Sequence, residues 1–138
     1  MTHDDSQKLL KERFKLLEPI GEGRLGTVYR GLDISNGQSV AIKHLRPELV
    51  QTDPQHLAQF EREVESLSHL NHPNIIRLID SIYDHANYYL VLEYLDGGHL
   101  GEMVGRVGQM TITRTLRLGI ELADALTRAH HVNIIHRD

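Results

Sequence analysis

The run Gly21-Glu-Gly-Arg-Leu-Gly26-Thr-Val28 fits the pattern G-x-G-x-x-G-x-V. In a dinucleotide-binding fold the third glycine of such a run opens a helix. Here the residues after Gly26 keep a strand-like pattern and lead to Asn36-Gly37, a dipeptide that favours a hairpin turn because both residues tolerate positive φ. The run therefore predicts a glycine-bearing hairpin. It is either a plain structural turn or a backbone that closes over phosphate groups, since no Cβ blocks their approach.

A lysine follows on the next predicted strand, in the segment Val40-Ala41-Ile42-Lys43. Successive side chains of a strand point to opposite faces, so Ala41 and Lys43 share one face and the two β-branched residues share the other. A lone lysine on a strand most often lies in solvent. Its position alone therefore assigns no role to Lys43.

A helix is predicted from Pro54 to about Leu70, with Asp53 as its N-cap and Pro54 at its first position. At about 100° per residue its apolar residues fall within one arc, and Glu63 lies inside that arc. Burying an unpaired carboxylate is costly, so Glu63 either pairs with Lys43 or turns to solvent at the edge of the face. The apolar residues of the arc are Leu57, Phe60, Val64, Leu67 and Leu70.

The second half of the chain changes from strands to helices. Two more strands are predicted at 75–83 and 88–94, and Asp96-Gly97-Gly98 is the best candidate for a linker. A helical segment at 99–107 contains glycines that favour a short or irregular helix, and a long helix is predicted at 113–131. The order β-β-β-α-β-β followed by two helices indicates the α+β class.

Composition excludes several classes of function. The 138 residues include no cysteine, so there is no disulfide, no cysteine-ligated zinc and no cysteine nucleophile. The net charge of −4 argues against a nucleic-acid partner, and no apolar run approaches the roughly 20 residues of a membrane span. We expect a cytoplasmic protein with no membrane segment in this chain. The pairs His69 with His72 and His130 with His131 have no carboxylate cluster nearby, so no metal ligands are predicted.

In combination, these motifs resemble a protein kinase of the eukaryotic type, and are most similar to bacterial serine/threonine kinases. The glycine run resembles the glycine-rich loop, Val-Ala-Ile-Lys43 the third-strand lysine motif, and Ile134-Ile-His-Arg-Asp138 the opening of the catalytic loop. The three motifs occur in the family's order, with the helical Glu63 between them. The resemblance covers the chain from about Phe14 to its last residue.

The resemblance implies a kinase-like α+β fold: an antiparallel five-stranded N-lobe sheet with the helix αC, a hinge, and the first helices of a truncated helical C-lobe. The implied organisation is a charged lead-in over 1–13, the N-lobe over 14–95 and the start of the C-lobe over 96–138. The lead-in is expected to be frayed or briefly helical. His99 stands where many members place an acidic or polar group near the ribose, so ribose recognition stays open.

The resemblance also implies a site for ATP and Mg²⁺. Lys43 would pair with the α and β phosphates and lie within about 4 Å of Glu63, and Asp138 would accept the proton of the substrate hydroxyl. Leu92 matches the gatekeeper and Glu93 to Leu95 the hinge. The implied nucleotide-binding positions are Ile20, Gly21, Glu22, Gly23, Gly26, Val28, Ala41, Lys43, Leu92, Glu93 and Leu95.

The implied activity is transfer of the γ-phosphoryl group of ATP to a hydroxyl of a protein substrate by a serine/threonine kinase. The family's magnesium ligands follow the catalytic-loop aspartate, so these 138 residues alone are expected to be inactive. The segment 116–129 is apolar nearly all round the helix, which predicts that a continuation or a partner covers it. The alternative is a short non-catalytic module that binds nucleotide or a partner.

Overall fold

Strands dominate the chain as far as residue 93, and helices follow. The computed structural model describes residues 8–23, 25–48 and 54–135, with the backbone alone at 54–57, 59, 60 and 63. The strands are β1 Leu9–Leu10, β2 Phe14–Gly23, β3 Gly26–Asp33, β4 Gln38–Leu45, β5 Leu78–Asp84 and β6 Asn87–Glu93. The helices are α1 Pro54–Ser68, α2 Leu100–Val107 and α3 Ile112–His131.

Within the described residues, six strands form one antiparallel sheet in the order β1-β2-β3-β4-β6-β5. The five predicted strands are present, and β1 is added at the edge next to β2. The prediction of a frayed or briefly helical lead-in is therefore wrong at Leu9 and Leu10. Leu10 pairs with Phe14 and its side chain is only 1% exposed, so burial in the core fixes the segment as a strand.

Two tight turns connect neighbouring strands. The turn predicted at Asn36-Gly37 is confirmed: Gly37 has φ 74° and its N–H donates to the carbonyl oxygen of Asp33 at 2.8 Å. The β5–β6 hairpin turns at His85 and Ala86, which have φ values of 46° and 64° without any glycine. Side chains at positive φ are disfavoured, so the pairing of the flanking strands holds this second turn in place.

One face of the sheet forms the hydrophobic core. Val40 and Ile42 of β4 lie in it at 1% and 0% exposure, as the alternation predicted. The buried carboxylate of Asp33 accepts bonds from Nε and Nη2 of Arg13, at 3.0 and 2.6 Å, and from the N–H and hydroxyl of Ser35. These bonds, above all those from Arg13, hold the pKa of Asp33 well below its usual range. The core residues are Leu10, Phe14, Leu16, Val40, Ile42, Ile82, Tyr89 and Val91.

The helix α1 begins at Pro54 as predicted and ends at Ser68, two residues before the predicted end. Its proposed N-cap, Asp53, lies outside the described residues. Val64 of the predicted apolar arc and Leu70 just after the helix are buried, at 7% and 4% exposure. Val64 and Leu70 thus pack inward as the periodicity predicted, and Leu67 of the same arc is half-buried.

The two later helices differ in length, and most of the side chains on each of them are exposed. The helix α2 is short, as its glycines predicted, and His99 caps it: Nδ1 accepts from the N–H of Glu102 at 3.3 Å. The helix α3 begins one residue before the predicted start. Apolar side chains on it are widely exposed, including Ile112 at 81%, Leu116 at 62% and Ile120 at 70%. The expectation that another segment covers α3 stays a prediction.

Candidate functional site

The glycine run lies in the β2–β3 hairpin. Gly21 pairs with Val28 and Gly23 pairs with Gly26, which is the first residue of a strand. This geometry excludes the dinucleotide-binding alternative, in which a helix would begin at the third glycine. Arg46, just after β4, donates from Nη2 to the carbonyl oxygen of Gly23 at 3.1 Å. The glycine hairpin is thereby tied to the end of the lysine strand, a contact that sequence reasoning missed.

The three glycines of the run have different surroundings. A Cβ added at Gly21 or Gly23 would meet nothing within 4 Å. At Gly26 it would lie 1.9 Å from the carbonyl oxygen of His44, and φ there is +150°. The fold therefore requires a glycine at Gly26, where β3 approaches β4 closely. At Gly21 and Gly23 the fold makes no such demand, and the open space is available to a ligand.

Strand register brings the predicted lysine next to the glycine run. Val28 pairs directly with Lys43, and Lys43 pairs with Leu90 on β6. Directly paired residues of antiparallel strands carry their side chains on the same face. A row of positions thus runs across four strands from Gly21 through Val28 and Lys43 to Leu90. The Lys43 side chain is half-buried on the face opposite the core.

A second row on the same face contains apolar positions. Ala41 pairs with Leu92, and Ala41 is 8% exposed while Leu92 is half-buried. Together with Val28 they form an apolar strip beside Lys43. Ile20, at the entrance to the glycine run, is 48% exposed. The arrangement places a flat apolar strip, a cation and an open backbone side by side, which is suited to a ring system carrying anionic groups.

The predicted hinge begins with a reciprocal pair of hydrogen bonds. The N–H of Glu93 donates to the carbonyl oxygen of Arg77 at 3.0 Å, and the N–H of Arg77 donates to Oε1 of Glu93 at 2.8 Å. The carboxylate of Glu93 is therefore engaged by the residue that precedes β5. Leu95, two residues on, is 64% exposed. Sequence reasoning placed Glu93 in the hinge and gave no sign of this bond, because Arg77 is distant in sequence.

Two of the three predicted catalytic groups fall outside the part of the chain that the structure describes. These are the side chain of Glu63 and Asp138. The expected approach of Lys43 and Glu63 to within about 4 Å stays a prediction. Among the residues that the structure describes, no group of three histidine, aspartate or glutamate side chains could hold a metal ion. Within the same residues, no helix is long and apolar enough to span a membrane.

Comparison with known proteins identifies the family. The sequence model of the protein kinase domain family matches residues 14–138, and the chain belongs to that family. It is 39% identical to Aurora/IPL1-related protein kinase 2 of Caenorhabditis elegans, over 91% of this chain and 41% of that protein. It is 40% identical to Aurora kinase C of Mus musculus, over 91% of this chain and 45% of that protein.

A bacterial relative shows a similar likeness. The chain is 35% identical to a probable serine/threonine-protein kinase of Streptomyces coelicolor, over 97% of this chain and 20% of that protein. The chain thus spans less than half the length of these relatives. The predicted family is confirmed, and the named relatives include serine/threonine kinases.

Proposed function

We propose that the protein containing this chain is a serine/threonine protein kinase, and that these residues form the upper wall of its ATP site. The observation that carries the proposal is the shared face of the sheet, where the glycine run, Lys43 and the apolar strip are neighbours. The names of the relatives support the reaction class. The protein substrate and a cytoplasmic location remain predictions of the sequence.

The described residues fit ATP in three respects. Open space beside Gly21 and Gly23 lets the hairpin backbone come close to phosphates, where a Cβ would otherwise project. The charge of Lys43 lies next to that space, and a cation about 4 Å from a phosphate oxygen gains about 4 kcal/mol at an effective dielectric of 20. Val28, Ala41 and Leu92 offer an apolar surface of the kind that an adenine ring needs.

Each group then has a defined task in the proposed reaction. Bound ATP supplies the γ-phosphoryl group. Lys43 holds the phosphates in position and stabilises their negative charge, without exchanging a proton with them. Glu63 is proposed to orient Lys43, and Asp138 to accept the proton of the protein hydroxyl. Since the described residues form no metal cluster, we derive no step from Mg²⁺, which the family generally uses with ATP.

The substitution Lys43→Met in the full-length protein tests this function. It removes the charge and keeps an apolar stem, so we expect phosphate transfer from ATP to a general protein substrate to fall by at least about 100-fold. Lys15→Met is the matched control, because Lys15 is an exposed lysine near the start of β2 and pairs with Leu9 and Leu32, neither of which is a proposed nucleotide-binding position. Unchanged turnover in Lys43→Met would contradict the proposal. ATP binding by the full-length protein without any transfer would favour the non-catalytic module instead.

A further inference from the structure

The residues on either side of the edge strand β1 contact the other edge strand of the sheet, β5, through their side chains. Nζ of Lys8 lies 3.2 Å from Oδ2 of Asp84, and Nζ of Lys11 donates to Oδ1 of Asp80 at 2.9 Å. Nζ of Lys11 also donates to the backbone carbonyl oxygen of Ser81 at 3.4 Å. The sheet therefore curls until its edges face one another. We call the four charged residues Lys8, Lys11, Asp80 and Asp84 the seam. Their side chains join the two edges of the sheet, which in a complete barrel are joined by backbone hydrogen bonds.

The segment that carries the seam lysines, residues 8–13, is called the strap. Its turn is strained, since Lys11 and Glu12 have φ values of 48° and 53°. Such values persist in side-chain-bearing residues only where the surrounding contacts impose them. Leu10 supplies one contact by lying in the core, and Arg13 supplies another through its paired bonds to Asp33. With the seam, the strap is fixed at three points.

The strap lies behind the strand that carries Lys43. Leu10 belongs to the same core cluster as Ile42, the residue before Lys43. Nζ of Lys8 donates to the hydroxyl of Tyr89 at 2.9 Å, and it lies 5.0 Å from the centre of that ring. The Tyr89 ring in turn stacks on His44, the residue after Lys43, with ring centres 4.6 Å apart. Both sequence neighbours of Lys43 are thus supported from the strap side of the sheet.

The charges of Lys8 and Asp84 are mutually stabilised. Burial acts to lower the pKa of Lys8, but its bonds to Tyr89 and Asp84 outweigh this and raise it. Burial likewise acts to raise the pKa of Asp84, and its bonds from Lys8 and His85 lower it instead. The pair therefore remains ionised around neutral pH, which keeps this end of the seam closed.

We propose that the strap is a positioning element for the nucleotide site: by closing the seam and supporting Ile42 and His44 from behind, it holds Lys43 in the position that ATP binding requires. The inference rests on the proposed function, because it assumes that Lys43 contacts ATP. Lys8 touches none of the nucleotide-binding positions, so it is a positioning residue. The strap also precedes residues 14–138, the part that the kinase family model matches.

The test compares Lys8→Met with Lys15→Met in the full-length protein, by the KM for ATP, kcat and the unfolding temperature. Lys8→Met removes the bonds to Asp84 and Tyr89 but keeps an apolar stem. A partly buried ion pair and a cation–π contact each shift an equilibrium by a few-fold, so we expect the KM for ATP to rise by about three- to tenfold. We expect kcat to stay within about twofold, and Lys8→Arg to restore the KM.

Three outcomes decide the proposal. A rise in KM with Lys8→Met, absent in Lys15→Met and reversed by Lys8→Arg, supports it. A lower unfolding temperature with an unchanged KM overturns it, since the strap would then only stabilise the fold, while the proposed function would stand. Wild-type protein that transfers no phosphate would overturn the proposed function and this inference with it. If Lys8→Met does not fold, Lys11→Met takes its place, with an expected rise of about twofold and an unchanged KM again overturning the proposal.

Discussion

Alanine substitutions in the glycine run test whether Gly26 is required by the fold while Gly21 and Gly23, which face open space, are not. The added Cβ would lie 1.9 Å from the carbonyl oxygen of His44 and 3.0 Å from Cα of Leu45. Both atoms belong to the backbone of β4, so no side-chain rotation can relieve the contact. The β3 and β4 backbones would have to separate by more than about 1 Å at the point where Gly26 pairs with Leu45.

The expected cost has two parts. A side chain held at φ +150° costs about 1–3 kcal/mol, and a methyl group forced into a packed site costs about 1–3 kcal/mol more. The free energy of unfolding should therefore fall by roughly 2–6 kcal/mol, out of a typical total of about 5–15 kcal/mol. At Gly21 and Gly23 no atom lies within 4 Å of the added Cβ, so alanine there should change this free energy by less than about 1 kcal/mol.

The assay is equilibrium unfolding in urea of the full-length protein and its three alanine variants, together with titration of a fluorescent ATP analogue. We expect Gly26→Ala to lose stability, and Gly21→Ala and Gly23→Ala to keep it but to bind the analogue more weakly. Equal stability of Gly26→Ala and Gly21→Ala would refute the argument from close strand approach. Unchanged nucleotide affinity in both Gly21→Ala and Gly23→Ala would refute the role given to the open space.

Two further predictions concern the core and its buried charge. Leu10→Ala should lower the free energy of unfolding by about 2–5 kcal/mol, whereas Leu9→Ala, at a side chain 45% exposed, should cost less than about 1 kcal/mol. Equal losses in urea unfolding would mean that the strap is not part of the core. Asp33 has a folded-state pKa below its ordinary value of 3.8, mainly through its bonds from Arg13, so its contribution to stability is present above about pH 4 and is lost as the pH falls below that. Asp33→Asn should be less stable than the wild type at pH 7, and thermal unfolding at successive pH values should show the difference shrinking below pH 4. A difference that is the same at pH 7 and pH 3 would contradict this.

Local signals in the sequence account for the elements that were predicted correctly. Asn36-Gly37 supplies its own turn geometry, and Pro54 marks the start of α1 because its ring favours the first helical position. The strand β1 escaped prediction because two leucines in a charged segment form no recognisable alternation. Leu10 is buried because distant strands supply the rest of the core around it. The residues next to Leu10 in the sequence give no sign of that burial.

The candidate site divides in the same way. The motifs and their order identified the protein kinase family, because each motif is a short run whose chemistry depends on its own residues. The sequence does not distinguish the roles of Gly21, Gly23 and Gly26. Only the fold does so, because the backbone of His44 lies close to Gly26 and no atom lies close to the other two. Pairing between strands likewise placed Lys43 beside Val28 on one face.

The residues alone were therefore enough to predict the family, the chemical groups of the candidate site and the alternation of side chains along each strand. Only the fold shows that β4 pairs with β6, in which register these two strands pair, and that the two edges of the sheet meet at Lys8 and Lys11. The alternation of side chains could be predicted because it is a property of the local backbone. The pairing of β4 with β6 and the contact between the sheet edges depend on packing between segments far apart in sequence, such as Lys11 and Asp80, whose contact no local pattern encodes.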